Sequence, residues 1–439
     1  MKDVAFRHGR TSIVLHLPDT AQVYSSRYPA SPSGPAGTVG RAVRTPIGSP
    51  PLGESLARRR QGNVVIVVSD ATRPIPYAEF LPPLLADLER AGIPRGEMII
   101  LVATGMHRPS TPAERMEMFG SAVAGGYRIV DHRADDEGNL VSLPGPSASG
   151  ARIKLNQLYV EAGFRLVTGL VEPHFMAGFS GGRKAICPGL TSLDTVRKFH
   201  SAAFLADART ANAVLEGNLL HAEALSVARL APPDFTLNLV LDPERRVAGA
   251  FAGALEPAHE AACAFVRECA CRPVASPADL VITSSGGYPL DATFYQCVKG
   301  FVSCLPAVKS GGTIVSFGSC TEGVGSAEYA GLMKEWSGRW RGFLAHIREG
   351  GSFTRDQWQF QMHARALEKI GEAGLHFVTD GLPGRALRSL SVTGHLAAPG
   401  KAGEETQRLV DRLVAGSSSV AAFPEGPYCV PTGKNSSAQ

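Results

Sequence analysis

The chain has 439 residues and a mass of 46.3 kDa, too long for one ordinary hydrophobic core and enough for two or three domains. Hydrophobic residues make up 44% and charged residues 19%, a globular composition that rules out whole-chain disorder. A net charge of +4 is small for a nucleic-acid binder, and no apolar run reaches the ~18 residues of a membrane span. The start, with Lys2, Asp3, Arg7, His8 and Arg10, lacks the apolar core of a signal peptide. Eight cysteines (187, 263, 269, 271, 297, 304, 320 and 429) are too sparse for a disulfide scaffold, and Cys269 and Cys271 are one residue too close for a CxxC pair. The expectation is a reduced, cytoplasmic protein with neither membrane nor nucleic acid as partner.

Residues 22–52 are rich in Ser, Pro and Gly and read as a long irregular segment. Ordered patterning then begins. Val64 to Val68 and Met98 to Ala103 are continuous apolar runs, as in strands buried on both faces. Tyr77 to Ala91 has helical spacing and stops at Gly92. Thr111, followed three residues later by Glu114, caps a further helix. Strands are predicted at Tyr127 to Asp131, Leu166 to Val171 and Thr236 to Leu241, while residues 151–160 fit a strand or a helix start. Pro273, Ser276 and Pro277 mark a boundary near 275, after which the pattern restarts. It gives a strand at Asp279 to Ser284, a helix at Thr293 to Leu305, a strand at Thr313 to Phe317, a helix around 359–371 and a strand at Leu375 to Thr379. The prediction is an α/β protein of two α/β domains with the active site in the cleft between them. An N-terminal domain spans 1–275, a smaller C-terminal domain 276–415, and a tail 416–439 is expected to be ordered only in part.

Polar and Gly-rich clusters follow the predicted strand ends: Ser69 to Pro74, Thr104 to Pro109, Glu172 to His174, Gly286 to Pro289 and Gly318 to Cys320. Ligands of α/β sheets bind at that edge, so an enzyme or small-molecule binder is expected. Arg73 offers a fork for a carboxylate or phosphate, with Asp70 and Thr72 beside it, or forms a structural ion pair. His107 and His174 fit an acid and a base on opposite sides of a stereocentre. In Phe179 to Gly189, Gly181 and Gly182 can expose backbone N–H groups to an anion, and Ser180, Arg183 and Lys184 flank them. Lys184 is open to three readings: a phosphate contact, a Schiff-base lysine or a covalent cofactor anchor. His200 alone is a weak metal ligand, sufficient for a metal held mostly by a cofactor. Tyr295, Gln296 and Lys299 share a helix, with Tyr295 and Lys299 on one face, and could hold a substrate carboxylate.

At these residues the chain resembles the nickel-dependent lactate racemase family over nearly its whole length. The stretches are SDATRPIP at 69–76, TGMHRP at 104–109, EPHFMAGFSGGRKAICPG at 172–189, KFH at 198–200 and YQCVKG at 295–300. The resemblance implies a nickel pincer nucleotide (pyridinium-3-thioamide-5-thiocarboxylic acid mononucleotide nickel) attached covalently at Lys184, with His200 as the protein's nickel ligand. It implies that His107 and His174 exchange the substrate hydroxyl proton, rather than an α-proton, while the α-hydride passes to and from the cofactor. Arg73 and Lys299 would hold the carboxylate or assist hydride transfer, supported by Tyr295, Gln296 and Trp358. Asp70, Thr72, Ser180, Gly181, Gly182 and Arg183 would hold the ribose and phosphate of the cofactor.

The function so implied is racemisation of lactate or a related 2-hydroxy acid. The alternatives are an epimerase of a longer or sugar-derived 2-hydroxy acid with the same cofactor, or a noncatalytic nickel-cofactor-binding protein. A cofactor-independent cysteine racemase would need two opposed thiols, and Cys187 is the single thiol of its loop. The implied partners are a small-molecule substrate and, transiently, the cofactor biosynthesis proteins, for a monomer or homodimer.

Overall fold

The computed structural model describes residues 1–30 and 34–433. The chain divides into two compact units, Tyr28–Cys269 and a second that joins Met1–Arg27 to Ala270–Gln439. The sequence expectation placed residues 1–27 in the N-terminal domain and the boundary near 275. The structure differs because the hairpin of Lys2–His8 and Thr11–Leu17 buries Val4, Phe6, Leu15 and Leu17 in one core with Leu280, Ile282, Val315 and Phe317. Both units are α/β, as predicted.

The sheet of the Tyr28–Cys269 unit has six strands. Its order is Val247–Gly253, Phe235–Leu241, Phe164–Leu170, Val64–Ser69, Met98–Ala103 and Arg128–Asp131. The first pair is antiparallel and all the others are parallel. The central strands are buried along nearly their whole length, which is why they read as unbroken apolar runs rather than alternating ones. Helix Tyr77–Arg90 turns Phe80, Leu81, Leu84, Leu85 and Leu88 into the core. Helix Pro112–Gly126 begins at Thr111, with the two-way capping box that its spacing predicts. The undecided stretch is both things in turn: a strand at Arg152–Asn156 and a short helix at Gln157–Val160, which the Asn156 side chain caps.

In the other unit six parallel strands run in the order Thr393–Leu396, Leu375–Thr379, Val308–Phe317, Ala278–Ser284, Val420–Phe423 and Gln22–Val23. One sequence expectation is corrected, and the tail, expected to be ordered only in part, gains detail. The 22–52 segment holds the Gln22–Val23 strand and, beyond the undescribed Ser31–Ser33, helix Gly34–Arg44, whose buried stripe is Val39, Ala42 and Val43. The 416–439 segment holds two strands. Val420–Phe423 is buried at all four positions, and Val430–Gly433 pairs with Cys271–Val274. Residues 434–439, the rest of the predicted tail, lie outside the described residues. In both cases a short apolar run is hidden among Ser, Gly and Pro. Among the described residues no helix is long and apolar enough to cross a membrane.

One buried contact ties the first sheet to the loop that follows Lys184. His132 is fully buried; its Nε2–H donates to the Thr191 carbonyl at 3.0 Å, and its Nδ1 accepts from the Asn156 amide at 3.2 Å. These partners suit only the neutral ring, and burial pushes His132 down to about 4. An unfolded histidine binds its proton near its ordinary value of 6.5, so the unfolded state gains protons first and stability falls as pH drops from about 6.5 to about 4. Chemical unfolding across that window is expected to show a shallower pH dependence in His132→Leu, by up to one proton or ~1.4 kcal/mol per pH unit.

Candidate functional site

Three adjacent parallel strands carry the first group of residues at their carboxyl ends. Val64–Ser69 leads into Asp70, Thr72 and Arg73. Met98–Ala103 leads into His107, and Phe164–Leu170 into Glu172 and His174. Sheet order alone therefore brings together loops separated by about a hundred residues of sequence, at the edge where α/β sheets bind ligands.

Asp70 is the hinge of this group. Its Oδ2 lies 2.5 Å from His107 Nδ1, and its Oδ1 accepts from the Thr72 hydroxyl at 2.6 Å and the Thr72 N–H at 3.3 Å. Burial alone would raise the carboxyl. The His107 hydrogen bond and charge, the Arg73 charge and the Thr72 hydroxyl outweigh it and hold Asp70 below the usual carboxylate range. The carboxylate fixes the His107 proton on Nδ1 and leaves a lone pair on Nε2. His174 has the opposite arrangement. Its Nδ1 faces the N–H groups of Met176 and Ala177, each at 3.2 Å, and accepts from them, so its proton sits on Nε2. Arg73 Nη1 lies 4.0 Å from Glu172 Oε1, a loose pair across two loops.

The glycine turn after His174 is packed tightly. The backbone is left-handed at Gly181 and Gly182, with φ of 72° and 49°. A Cβ on Gly181 would run into the Val171 methyl, and one on Gly182 would lie 2.6 Å from the His259 ring. Ser180 Oγ donates to the Leu170 carbonyl at 2.7 Å and accepts from Glu172 N–H at 3.0 Å. Gly182 N–H donates to Asn238 Oδ1 at 2.9 Å. These groups thus build the turn from within.

Arg183, expected from sequence to flank the glycine pair, turns inward. It is 1% exposed, with Nη1 donating to His259 Nε2 and Nη2 to the Ala177 carbonyl, both at 2.8 Å. Burial brings it down to about 10, so it remains charged at neutral pH. Lys184, next in sequence, stays partly exposed. His200 caps helix Leu193–Phe199 and donates Nδ1–H to the Val196 carbonyl at 3.0 Å, which places the ring's lone pair on Nε2. Burial first, and then the Lys184 charge, against the opposing Val196 contact, push its imidazole down to about 3. A neutral imidazole is the form that ligates, and the Lys184 effect puts the two side chains within electrostatic reach. Among the described residues no three His, Cys, Asp or Glu side chains converge on a metal position. An ion on His200 would therefore draw its other donors from a bound molecule.

The second group belongs to the other unit. Tyr295, Gln296 and Lys299 lie on helix Phe294–Ser303, capped by the Thr293 hydroxyl. Trp358 opens helix Gln357–Ile370 and donates its indole N–H to Tyr295 OH at 3.0 Å. Gln296 Oε1 is buried with no hydrogen-bond partner among the described residues. Asp291 accepts from Gly9 N–H at 2.6 Å and Ser319 N–H at 3.2 Å and ties the hairpin to the sheet.

Sequence reasoning gave no role to Glu172, Asn238 or His259. The available signal was polarity at buried positions, such as Asn238 in the otherwise apolar FTLNLVL strand.

The lactate racemase N-terminal domain family matches residues 8–212, and the lactate racemase C-terminal domain family matches residues 274–426. The chain is 34% identical over 432 residues to the lactate racemase of Thermoanaerobacterium thermosaccharolyticum, covering 97% of this chain and 98% of that protein. It is 38% identical over 288 residues to the lactate racemase of Lactiplantibacillus plantarum, covering 66% and 67%. The solved lactate racemase apoprotein from T. thermosaccharolyticum superposes with a TM-score of 0.87 at 31% identity, over 98% of this chain and 100% of that one. A Thermotoga maritima protein, at 18% identity and a TM-score of 0.67 over 92% of this chain and 100% of its own, shares the fold. The chain belongs to the lactate racemase family.

Gly181→Ala forces a Cβ into the turn at positive φ and is expected to cost about 1–3 kcal/mol in denaturant unfolding. Gly331→Ala, on helix Ala327–Glu335 with nothing near its would-be Cβ, is the control. It is expected to be neutral or stabilising by up to ~1 kcal/mol.

Proposed function

We propose that the chain racemises a 2-hydroxy acid, lactate or a close relative, by proton-coupled hydride transfer with a nickel pincer nucleotide tethered at Lys184. The observation that carries this reading is the opposite hydrogen bonding of two histidines beyond the ends of the two strands that flank Val64–Ser69. His107 Nδ1 is held by Asp70, and His174 Nδ1 is held by two backbone N–H groups. One ring rests with a lone pair on Nε2 and the other with a proton there.

His107 takes the hydroxyl proton at Nε2, and the imidazolium it becomes is stabilised by the Asp70 carboxylate. Its half-exposed side chain allows solvent to restore the proton balance between the rings. His174, once charged and turned off the Met176 and Ala177 amides that oppose an Nδ1 proton, delivers a proton as the imidazolium to the oxygen of the transient 2-keto acid and returns to the neutral ring, and the roles exchange for the other enantiomer. The cofactor, when bound, supplies the acceptor and donor for the α-hydride. Lys184 and His200 would hold it, Lys184 by a covalent thioamide and His200 by its Nε2 lone pair on nickel. With the Asp70 oxygens engaged by His107 and Thr72, an orienting role suits Asp70 better than a direct ribose contact. Arg73 and Lys299 would bind the substrate carboxylate, and Tyr295, Gln296 and Trp358 would support it. Loading makes the cofactor biosynthesis proteins transient partners.

The test is co-expression with those proteins, followed by intact mass, nickel content and peptide mapping of residues 172–200. The expected result is an adduct on Lys184 with about one equivalent of nickel in the wild type, and no adduct in Lys184→Ala. An adduct that survives in Lys184→Ala, or none in the wild type beside a loaded control, overturns the assignment. In the loaded protein, His107→Ala and His174→Ala are each expected to lower turnover roughly 10²–10⁴-fold with the adduct retained. Near-normal racemisation in either variant would sink the paired scheme. Asp70→Asn, which removes the charge opposite the His107 cation, is expected to lower kcat by roughly 10²-fold or more at unchanged loading.

A further inference from the structure

The groups assigned above to the hydroxyl, the α-hydrogen and the carboxylate are blind to the substrate's side chain. A candidate for that task lies beside Trp358. Residues 349–356 connect helices Trp340–Arg348 and Gln357–Ile370. The connection is anchored on both sides. Gly351 N–H donates to the His346 carbonyl at 2.9 Å, Thr354 N–H donates to Gln357 Oε1 at 2.8 Å, and Asp356 Oδ2 accepts from the Ser326 hydroxyl at 2.7 Å.

Between these anchors stands Phe353, 37% exposed and the sole aromatic among the exposed large hydrophobics of the described residues. Its ring centroid is 6.0 Å from that of Trp358, with the planes at 34°. The Trp358 indole N–H is already committed to Tyr295 OH and the residue is only 6% exposed, so the accessible apolar face here is that of Phe353, seated against Trp358. That surface continues, through Tyr295, from the helix that carries Gln296 and Lys299. A phenyl ring left in water has apolar area still to bury. Here the loop's anchors display it beside the proposed substrate contacts rather than folding it inward.

We infer that Phe353 is a specificity-determining residue that walls the site for the substrate's side chain. The substrates are then 2-hydroxy acids with an aliphatic or aromatic side chain, not polyhydroxylated acids. This rests on the reading of Tyr295 and Trp358 as substrate contacts. Hydroxyls placed against Phe353 and Trp358 would lose water without gaining a partner, whereas an alkyl or aryl group would bury area against both rings.

The test uses cofactor-loaded full-length protein. Wild type, Phe353→Ala and Phe353→Leu are assayed by chiral chromatography on lactate, 2-hydroxy-4-methylpentanoate, phenyllactate and gluconate. Thermal unfolding checks that each variant folds. The wild type is expected to favour the apolar acids over gluconate. Phe353→Ala is expected to lower kcat/KM for the two large apolar acids about 10-fold or more, through KM with kcat held, and to change lactate by less than about 3-fold. Phe353→Leu is expected to recover most of that loss. An equal effect on every acid, no effect on the large ones, or a wild type that prefers gluconate overturns the wall assignment while leaving racemisation intact. A loaded wild type that turns over none of the acids overturns the racemase reading itself, and this assignment with it.

Discussion

The arrangement of the candidate site depends on one close approach of backbone to backbone. Gly169, in the central strand Phe164–Leu170, faces the Gly181 turn so closely that a Cβ on Gly169 would lie 3.1 Å from Gly181 Cα. No side chain fits between strand and turn. Because the turn lies flat on the sheet, Ser180 can reach Leu170 and Glu172, and Gly182 can reach Asn238 on the next strand. Lys184 follows within a single 3-10 turn. Its backbone position is thereby set by the sheet, a rigid element, rather than by a surface loop. The same turn carries a buried guanidinium whose hydrogen-bond partners are an imidazole and a carbonyl rather than a carboxylate. Such burial is costly, and it leaves a fixed positive charge directly under a turn read as the seat of an anionic nucleotide.

Much of this was legible because the chemistry sits where the hydrophobic pattern changes. Continuous apolar runs located the central strands of both sheets, and Asp70, His107 and His174 stand just beyond such ends. Two elements that the sequence reading did not place share one cause. Val420–Phe423 is four residues long, and the buried stripe of Gly34–Arg44 is made of Val39, Ala42 and Val43. Neither carries enough apolar signal to rise above a Ser, Gly and Pro background, and both are held by tertiary contacts that periodicity does not record. The hairpin at the N-terminus was misassigned for the same reason. Its strands alternate correctly, but which core receives Phe6 and Leu15 is a long-range choice.

Arg183 shows the limit of motif reading in the opposite sense. A glycine pair followed by Arg and Lys suggests two exposed cations, yet the helical turn sends successive side chains in different directions. One goes down to His259 and the other stays partly exposed. The spacing could not say which, because the answer lies in His259 and Asn238, far along the chain. Trp358 is the converse case. Nothing in its local sequence singles it out, and its indole N–H is nonetheless hydrogen-bonded to the hydroxyl of Tyr295, 63 residues away.

The two histidines also differ in how their resting state is enforced, and the difference has a chemical consequence. Asp70 is charged and, being held below the ordinary carboxylate range, stays so through the physiological span, where it welcomes an imidazolium at His107. The partners of His174 Nδ1 are backbone donors, which cannot lose their protons and which oppose a proton on that nitrogen. A charged His174 must therefore pull its ring off the Met176 and Ala177 amides, whereas a charged His107 need not move. On the proposed scheme the two proton transfers would therefore be unequal in their demand on the protein, even though the free energies of the two enantiomers in solution are identical.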